Sequence, residues 1–333
     1  MVEILQRTPR SAMRVSLHAG SRSRNPLLVS ADAARHGLAT RNNDLDSVVN
    51  LSPTRRELLG LSVPLLALVG GAAPVGLVVG TPPARAVSGP VMPSAEVQAA
   101  VKKALSRAIP KAKTAVALRL VFHDAGTYSA VYGDGGLNAS IQYELDRPEN
   151  FGLKRGWRLV EQVRGDLRGT PAEGLVTDAD LVALVGAFAV RLCGGPDIPL
   201  RVGRPVATSP DPPGRMPGEN FSAEQLKANF AEKGFSAQEM VALSGAHTLG
   251  SKGFGDPTRF DNEYYLALLR RPWNNPNDSM ASMIGLPSDH VLPDDPECLP
   301  YIQRYAEDQD AFFADFSKAY IKLTSLGVPG WAA

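Results

Sequence analysis

The chain has 333 residues, 44% of them apolar, with 35 basic against 34 acidic side chains. That is enough for a sizeable core, and it provides no basic surplus for nucleic acid. The two cysteines, Cys193 and Cys298, exclude a disulfide framework and leave one bridge open.

The first 86 residues differ from the rest. They hold ten arginines, no lysine and five acids. A Ser/Arg-rich, acid-poor start of this kind reads as an organelle transit peptide. The pair Arg55-Arg56 then precedes an apolar run over 58–80, and Ala84-Arg85-Ala86 closes it as a small-residue cleavage pattern. This is the layout of a twin-arginine export signal. The competing reading is a membrane anchor, since the run is long enough to span. Pro64, Gly70, Gly71 and Pro74 interrupt it, which favours removal. The order of the two signals predicts a bipartite leader over 1–86 and a mature domain over 87–333 with no stable membrane span. It also predicts delivery to the thylakoid lumen of a plant or algal chloroplast.

The mature chain keeps 25 basic and 29 acidic residues, a balance of about −4. Its pattern is helical with short loops. Apolar residues recur at helical spacing over 94–109 behind Ser94 as N-cap. Residues 115–126 form a second helix stopped by Gly126, and 152–167 a third. A fourth begins at the Thr177 cap and stops at Gly194-Gly195. The Pro/Gly-rich stretch 194–217 cannot be helical, and its alternation around "IPLRV" predicts a small β element or an extended loop. "SAEQLKANF" and "SAQEMVALS" open with the capping-box pattern, Ser followed three residues later by Gln or Glu. Segments 260–271 and 305–327 complete a mainly α set.

Within the second helix, "ALRLVFHDAGTY" places Arg119 four residues before His123 with Phe122 between them. Positions i and i+4 share a helix face, so both side chains point into one space. From spacing alone that space is a core, a salt-bridge cluster or a reaction chamber.

Taken together, the motifs resemble the plant, fungal and bacterial haem peroxidase superfamily, and within it the ascorbate peroxidase branch. "TAVALRLVFHDAGTY" is similar to the distal signature and "MVALSGAHTLG" to the proximal one. "CGGPDIPLRVGR" resembles the stretch between them, "FDNEYY" the segment with a proximal aspartate, and "LPSDHVLPDDP" with the C-terminal helices the family's tail. The likeness covers roughly 94–328. It implies a two-lobed, mainly helical fold with minimal β structure and a cavity between lobes.

It also implies a haem b peroxidase. In such an enzyme His123 takes the proton from the inner oxygen of peroxide and returns it to the departing one, while Arg119 stabilises the charge that develops there. Asn150 would hold the second nitrogen of His123; its bland reading is a turn residue. Phe122 stands where the branch carries Trp. His247 would be the axial ligand to the haem iron, and Asp261 the carboxylate behind it. Asp261 as a simple helix cap is the other reading. Thr248 resembles one ligand of a cation site whose other members are missing, so that site reads as degenerate. Glu144 and Arg147 read as a local charge pair.

The pattern departs from the branch at one place. His247 and Asp261 are 14 positions apart, and the connection contains no Trp. A proximal Trp radical is therefore excluded. The ascorbate clamp is incomplete, although Lys111 resembles its lysine, and one wall of the haem pocket is expected to be open. Two functions follow. The first is a peroxidase that reduces hydrogen peroxide with ascorbate or another small donor. The second is a weakly active or inactive peroxidase-fold binding protein of the lumen, associated with photosystem II.

Overall fold

Thr177 and Ser222 show how the helices of this chain start. Each side-chain oxygen accepts from the backbone amide three residues on, and the residue there, Asp180 or Gln225, reaches back to the cap amide. The computed structural model describes residues 91–270, 273 and 283–331, all within the compact unit Val78–Ala333. The transit-peptide, twin-arginine and cleavage assignments fall outside the described residues.

Among the described residues the chain is mainly helical: α1 (Ala95–Ala108), α2 (Thr114–Ala125), α3 (Lys154–Asp166), α4 (Asp178–Leu192), α5 (Ala223–Glu232), α6 (Ala237–Ser244), α7 (Glu263–Arg270), α8 (Pro287–His290), α9 (Leu299–Glu307) and α10 (Gln309–Leu323). The β content is two isolated bridges, Val91 with Val202 and Ser129 with Asp134. Val202 belongs to "IPLRV", so the small β element expected there is present. The C-terminal segment does not run as one helix. Asp308 leaves helical geometry (φ −131°, ψ 97°) and its carboxylate caps α10 by accepting from Ala311 N at 2.9 Å.

The helices pack in two sets. In the first, α2 lies chiefly on α4, with α1 and α3 beside them; in the second, α6, α9 and α10 pack together with α5 and α7. The sets meet where Tyr320 of α10 donates to Ala183 O of α4 at 2.7 Å. Gly186 permits this approach, because a Cβ there would lie 2.3 Å from the Tyr320 hydroxyl and 2.4 Å from Val121 Cγ2. A buried ion pair, Arg204 Nη1 to Asp180 Oδ1 at 2.9 Å, ties the extended segment to the start of α4. Asp180 also accepts from the amides of Thr177, Gly203 and Arg204, so little of its hydrogen-bonding capacity is wasted on burial. The two cysteines are both buried and free, so they do not pair.

Candidate active site

Helix α2 presents Arg119 and His123 on one face, as their spacing requires. Arg119 Nε donates to His123 Nε2 at 3.2 Å. A guanidinium can only donate, so Nε2 carries a lone pair and the ring proton sits on Nδ1. Nδ1 then donates to Asn150 Oδ1 at 2.8 Å, and Asn150 Nδ2 donates to Glu144 O at 2.9 Å. Asn150 is 2% exposed, in a 3-10 turn (Pro148–Asn150) that follows the Glu144–Arg147 ion pair. The sequence-predicted trio is thus brought together with every hydrogen-bond direction consistent. Two backbone carbonyls steady the arginine: Nη1 donates to Phe151 O at 2.8 Å and Nη2 to Glu149 O at 2.7 Å.

Burial, followed by the adjacent Arg119 charge, pushes the His123 pKa down to about 4. The ring is therefore an unprotonated base through the physiological range. Phe122 is half-buried, edge-on to His123 and stacked on Phe230 with ring centres 6.1 Å apart.

His247 lies in a 3-10 turn, Gly245–Thr248, that continues from α6. Gly245 is required there, since a Cβ would lie 2.3 Å from the Tyr265 hydroxyl and 2.6 Å from Phe312. The carboxylate behind His247 is Asp289, not Asp261. His247 Nδ1 donates to Asp289 Oδ1 at 2.8 Å. Asp289 sits in the four-residue α8, 42 positions along the chain, and is 2% exposed. It also accepts from the Tyr264 hydroxyl at 2.9 Å on the same oxygen and from Leu286 N at 2.8 Å on the other. Burial alone would raise its pKa, but the imidazole and these donors hold it below the usual carboxylate value. Burial likewise works to lower the His247 pKa; the Asp289 charge outweighs it and the net shift is upward.

Asp261 points elsewhere for a plain reason. Thr248 Oγ1 donates to it at 2.9 Å, Glu263 N donates at 3.2 Å, and Arg259 pairs with its other oxygen at 3.3 Å. It caps the start of α7 and holds the residue after His247 rather than the ring. Thr248 is buried in that contact, and the Arg259 guanidinium brings positive charge to the carboxylate. Because Asp289 is the partner, the span from the histidine to its carboxylate is 42 positions, and the 14-residue gap does not measure a missing wall. The Trp273 indole donates to Leu268 O at 3.0 Å and stacks on His290, the neighbour of Asp289, with ring centres 4.3 Å apart. Tyr264 lies beside Asp289. It is fully buried, 6.1 Å from the His247 ring and edge-on to it. Neither Asp289 nor Tyr264 was picked out by sequence. The proline at the first position of α8, in "LPSDH", is the one local signal that marks a helix there.

The donor set fits a haem iron. His247 has Nδ1 committed to a carboxylate and Nε2 left as the donor atom, and its side chain is 39% exposed. Among the described residues no cluster of three or more His, Cys, Asp or Glu side chains offers an alternative metal cage. The Glu219 charge is a minor raising influence on both Arg119 and His247, and its backbone carbonyl accepts from Ser288 N beside Asp289 at 3.0 Å.

Comparison with known proteins gives a family. A family model described as Peroxidase matches residues 95–308. A protein of Arabidopsis thaliana named Putative L-ascorbate peroxidase 6 is 50% identical over 234 residues, 70% of each chain. L-ascorbate peroxidase 5, peroxisomal, from the same plant is 37% identical over 224 residues, covering 64% of this chain and 75% of its own. A Mycosarcoma maydis protein named Putative heme-binding peroxidase is 36% identical over 244 residues, 64% of this chain and 72% of its own.

Proposed function

Because the chain belongs to the haem peroxidase superfamily, in its ascorbate peroxidase branch, we propose that it reduces hydrogen peroxide with ascorbate or another small donor in the thylakoid lumen, using haem b held by His247. The observation that carries the reading is the pair of oppositely prepared imidazoles. His123 is a neutral base with its proton fixed on the far nitrogen, and His247 is backed by a carboxylate.

In this reading His123 Nε2 accepts the proton of the inner peroxide oxygen and returns it to the departing oxygen. Asn150 keeps the ring in the tautomer that can do so. Arg119, positioned by Phe151 O and Glu149 O, is placed to stabilise the charge that develops on the departing oxygen. Asp289 orients His247 and enriches its donor nitrogen. Haem, when bound by His247, would supply the two electrons that reduce the peroxide.

The lumen assignment rests on the leader sequence. Similar proteins include peroxisomal and cytosolic ones, and none of these names points to a lumen. Among the described residues no helix is long and apolar enough to cross a membrane. A base with a pKa of about 4 suits a compartment that acidifies, since it stays unprotonated.

The test is a haem titration of the full-length chain, followed by peroxide-dependent oxidation of ascorbate. Stoichiometric binding with a Soret band and turnover is expected. A colourless, inactive protein would leave the photosystem II-associated binding protein as the better account.

A further inference from the structure

Three tyrosines form an unbroken run of ring contacts that begins at His247. Tyr264 lies edge-on to the His247 ring at 6.1 Å, Tyr265 follows at 5.0 Å, and Tyr305 of α9 lies 5.2 Å beyond Tyr265. All three are buried. A run of core aromatics ordinarily means packing and nothing else. Here the hydroxyls end on different partners, and that difference sets a direction along the run.

Tyr264 donates to Asp289, which is buried and already accepts from His247. Tyr265 donates to two backbone carbonyls, Val241 O at 2.9 Å and Ala242 O at 3.3 Å, and a carbonyl does not take up a proton. Tyr305 donates to Asp315 Oδ2 of α10 at 3.1 Å. The Asp315 side chain is 12% exposed and pairs with two surface cations, Arg304 at 3.4 Å and Lys318 at 3.3 Å. Burial works to raise its pKa, but the donors Gln238, Tyr305 and Lys318 and the Arg304 charge hold it below the usual carboxylate value. Tyr305 is therefore the phenol whose carboxylate partner is ionised and meets water. Arg304 also lies over the Tyr305 ring at 5.9 Å. A ring that lost an electron and kept its proton would face that cation, so electron and proton leave together.

We propose that Tyr305 is a second oxidation site of the protein, reached from the His247 wall through Tyr264 and Tyr265, with Asp315 taking its phenolic proton. The inference rests on the peroxidase reading above and adds a place where oxidation emerges between α9 and α10. Hydrogen peroxide is the oxidant: one molecule takes two electrons and two protons and becomes two waters. Tyr305 returns one of those electrons along the rings, and its proton passes to Asp315 and on to water. The small donor returns the other electron. A one-electron donor that does not approach His123 can then restore Tyr305 with an electron and a proton.

The experiment mixes the full-length, haem-loaded chain with one equivalent of hydrogen peroxide, without donor, and freezes it for electron paramagnetic resonance. Wild type is compared with Tyr305→Phe, Tyr265→Phe and Asp315→Asn. Each variant keeps the ring or the shape it replaces, and circular dichroism with the Soret band checks fold and haem. Wild type is expected to give a radical signal that narrows when the chain carries ring-deuterated tyrosine. Tyr305→Phe should lose that signal, and Tyr265→Phe should lose it because the run is broken. Asp315→Asn should lose it although all three phenols are present, and this part-exposed position carries the test if a buried variant fails to fold. Bleaching of the Soret band by excess peroxide should quicken in each variant, since the oxidation stays beside the haem. A signal that deuterated tyrosine leaves unchanged, or one that survives in Tyr305→Phe or Asp315→Asn, overturns the proposal while the peroxidase reading stands. So does a wild type that consumes peroxide and forms no protein radical. A wild-type chain that binds no haem overturns both.

Discussion

The two walls of the site use the same side chain to opposite ends. His123 faces a guanidinium and an amide; burial and the Arg119 charge take its pKa down to about 4. His247 faces a buried carboxylate that a tyrosine and a backbone amide also serve, and its pKa moves up against the pull of burial. The imidazoles do not differ in intrinsic chemistry. What differs is whether the second nitrogen meets a neutral acceptor or a charged one. An amide fixes the tautomer without enriching the ring, which keeps a proton acceptor mild. A carboxylate enriches it, which suits a metal donor.

The largest effects should come from removing one histidine at a time. His247→Ala is expected to abolish the Soret band and reduce peroxide turnover to background, with the fold retained because the side chain is part-exposed. His123→Leu is expected to keep the Soret band and lower the rate of reaction with peroxide by roughly 10²–10⁴-fold, the span of general acid–base catalysis. Absorbance spectra and stopped-flow mixing with peroxide separate the two. Equal haem loss in both variants would break the comparison, because the walls would then not be specialised.

A smaller and sharper effect is expected in the pH profile. Since the base must be unprotonated, the wild-type rate with peroxide should rise with pH through about 4 and be flat above it. Stability should show the matching sign. The folded pKa lies below the ordinary value of 6.5, so the unfolded chain binds the extra proton between the two. The contribution of His123 is therefore neutral above pH 6.5, and stability is lost as pH falls from 6.5 towards 4. Arg119→Gln removes the second cause of the depression. Its acid limb should move upward while the plateau drops on the order of 10²–10³-fold, the scale of one lost charge-stabilising donor. A limb that stays in place would assign the shift to burial alone.

How much of this was readable in the chain varies from one wall to the other. The distal wall is local: Arg119 and His123 are one helical turn apart, and Asn150 follows a turn marked by Pro148. Caps at Ser94, Thr177, Ser222 and Ser236 fixed the helix starts in the same local way. The proximal wall is not local. Asp261 and Asp289 are both acids downstream of His247, and sequence offers no means to say which folds beneath the ring. Asp261 is nearer in the chain, yet Thr248 and Arg259 hold it. Asp289 lies in a helix of four residues, too short to show any apolar period. Tyr264 reads as one more core aromatic of α7, and only its hydroxyl contact sets it apart. The break at Asp308 was missed because the apolar pattern carries across it, although an aspartate is a good cap.

The subtlest expected effect concerns that hydroxyl. Tyr264 and His247 donate to the same oxygen of Asp289, so they compete for one carboxylate. The phenol therefore restrains the charge that Asp289 can lend to the imidazole. In Tyr264→Phe the ring should keep its place, since it packs edge-on against Phe254 at 4.8 Å and Tyr265 at 5.0 Å. The carboxylate loses one buried charged hydrogen bond, about 1.5–3 kcal/mol of stability by chemical denaturation. Freed of a donor, Asp289 should bind the His247 proton more tightly and make Nε2 the stronger donor. The haem-loaded variant should then show a more negative reduction potential, with the His123 acid limb unmoved near pH 4 because the distal wall is untouched. A stability loss without any change in potential would make Tyr264 a packing residue only. A change in both, with the distal limb fixed, would show that the two walls are tuned independently.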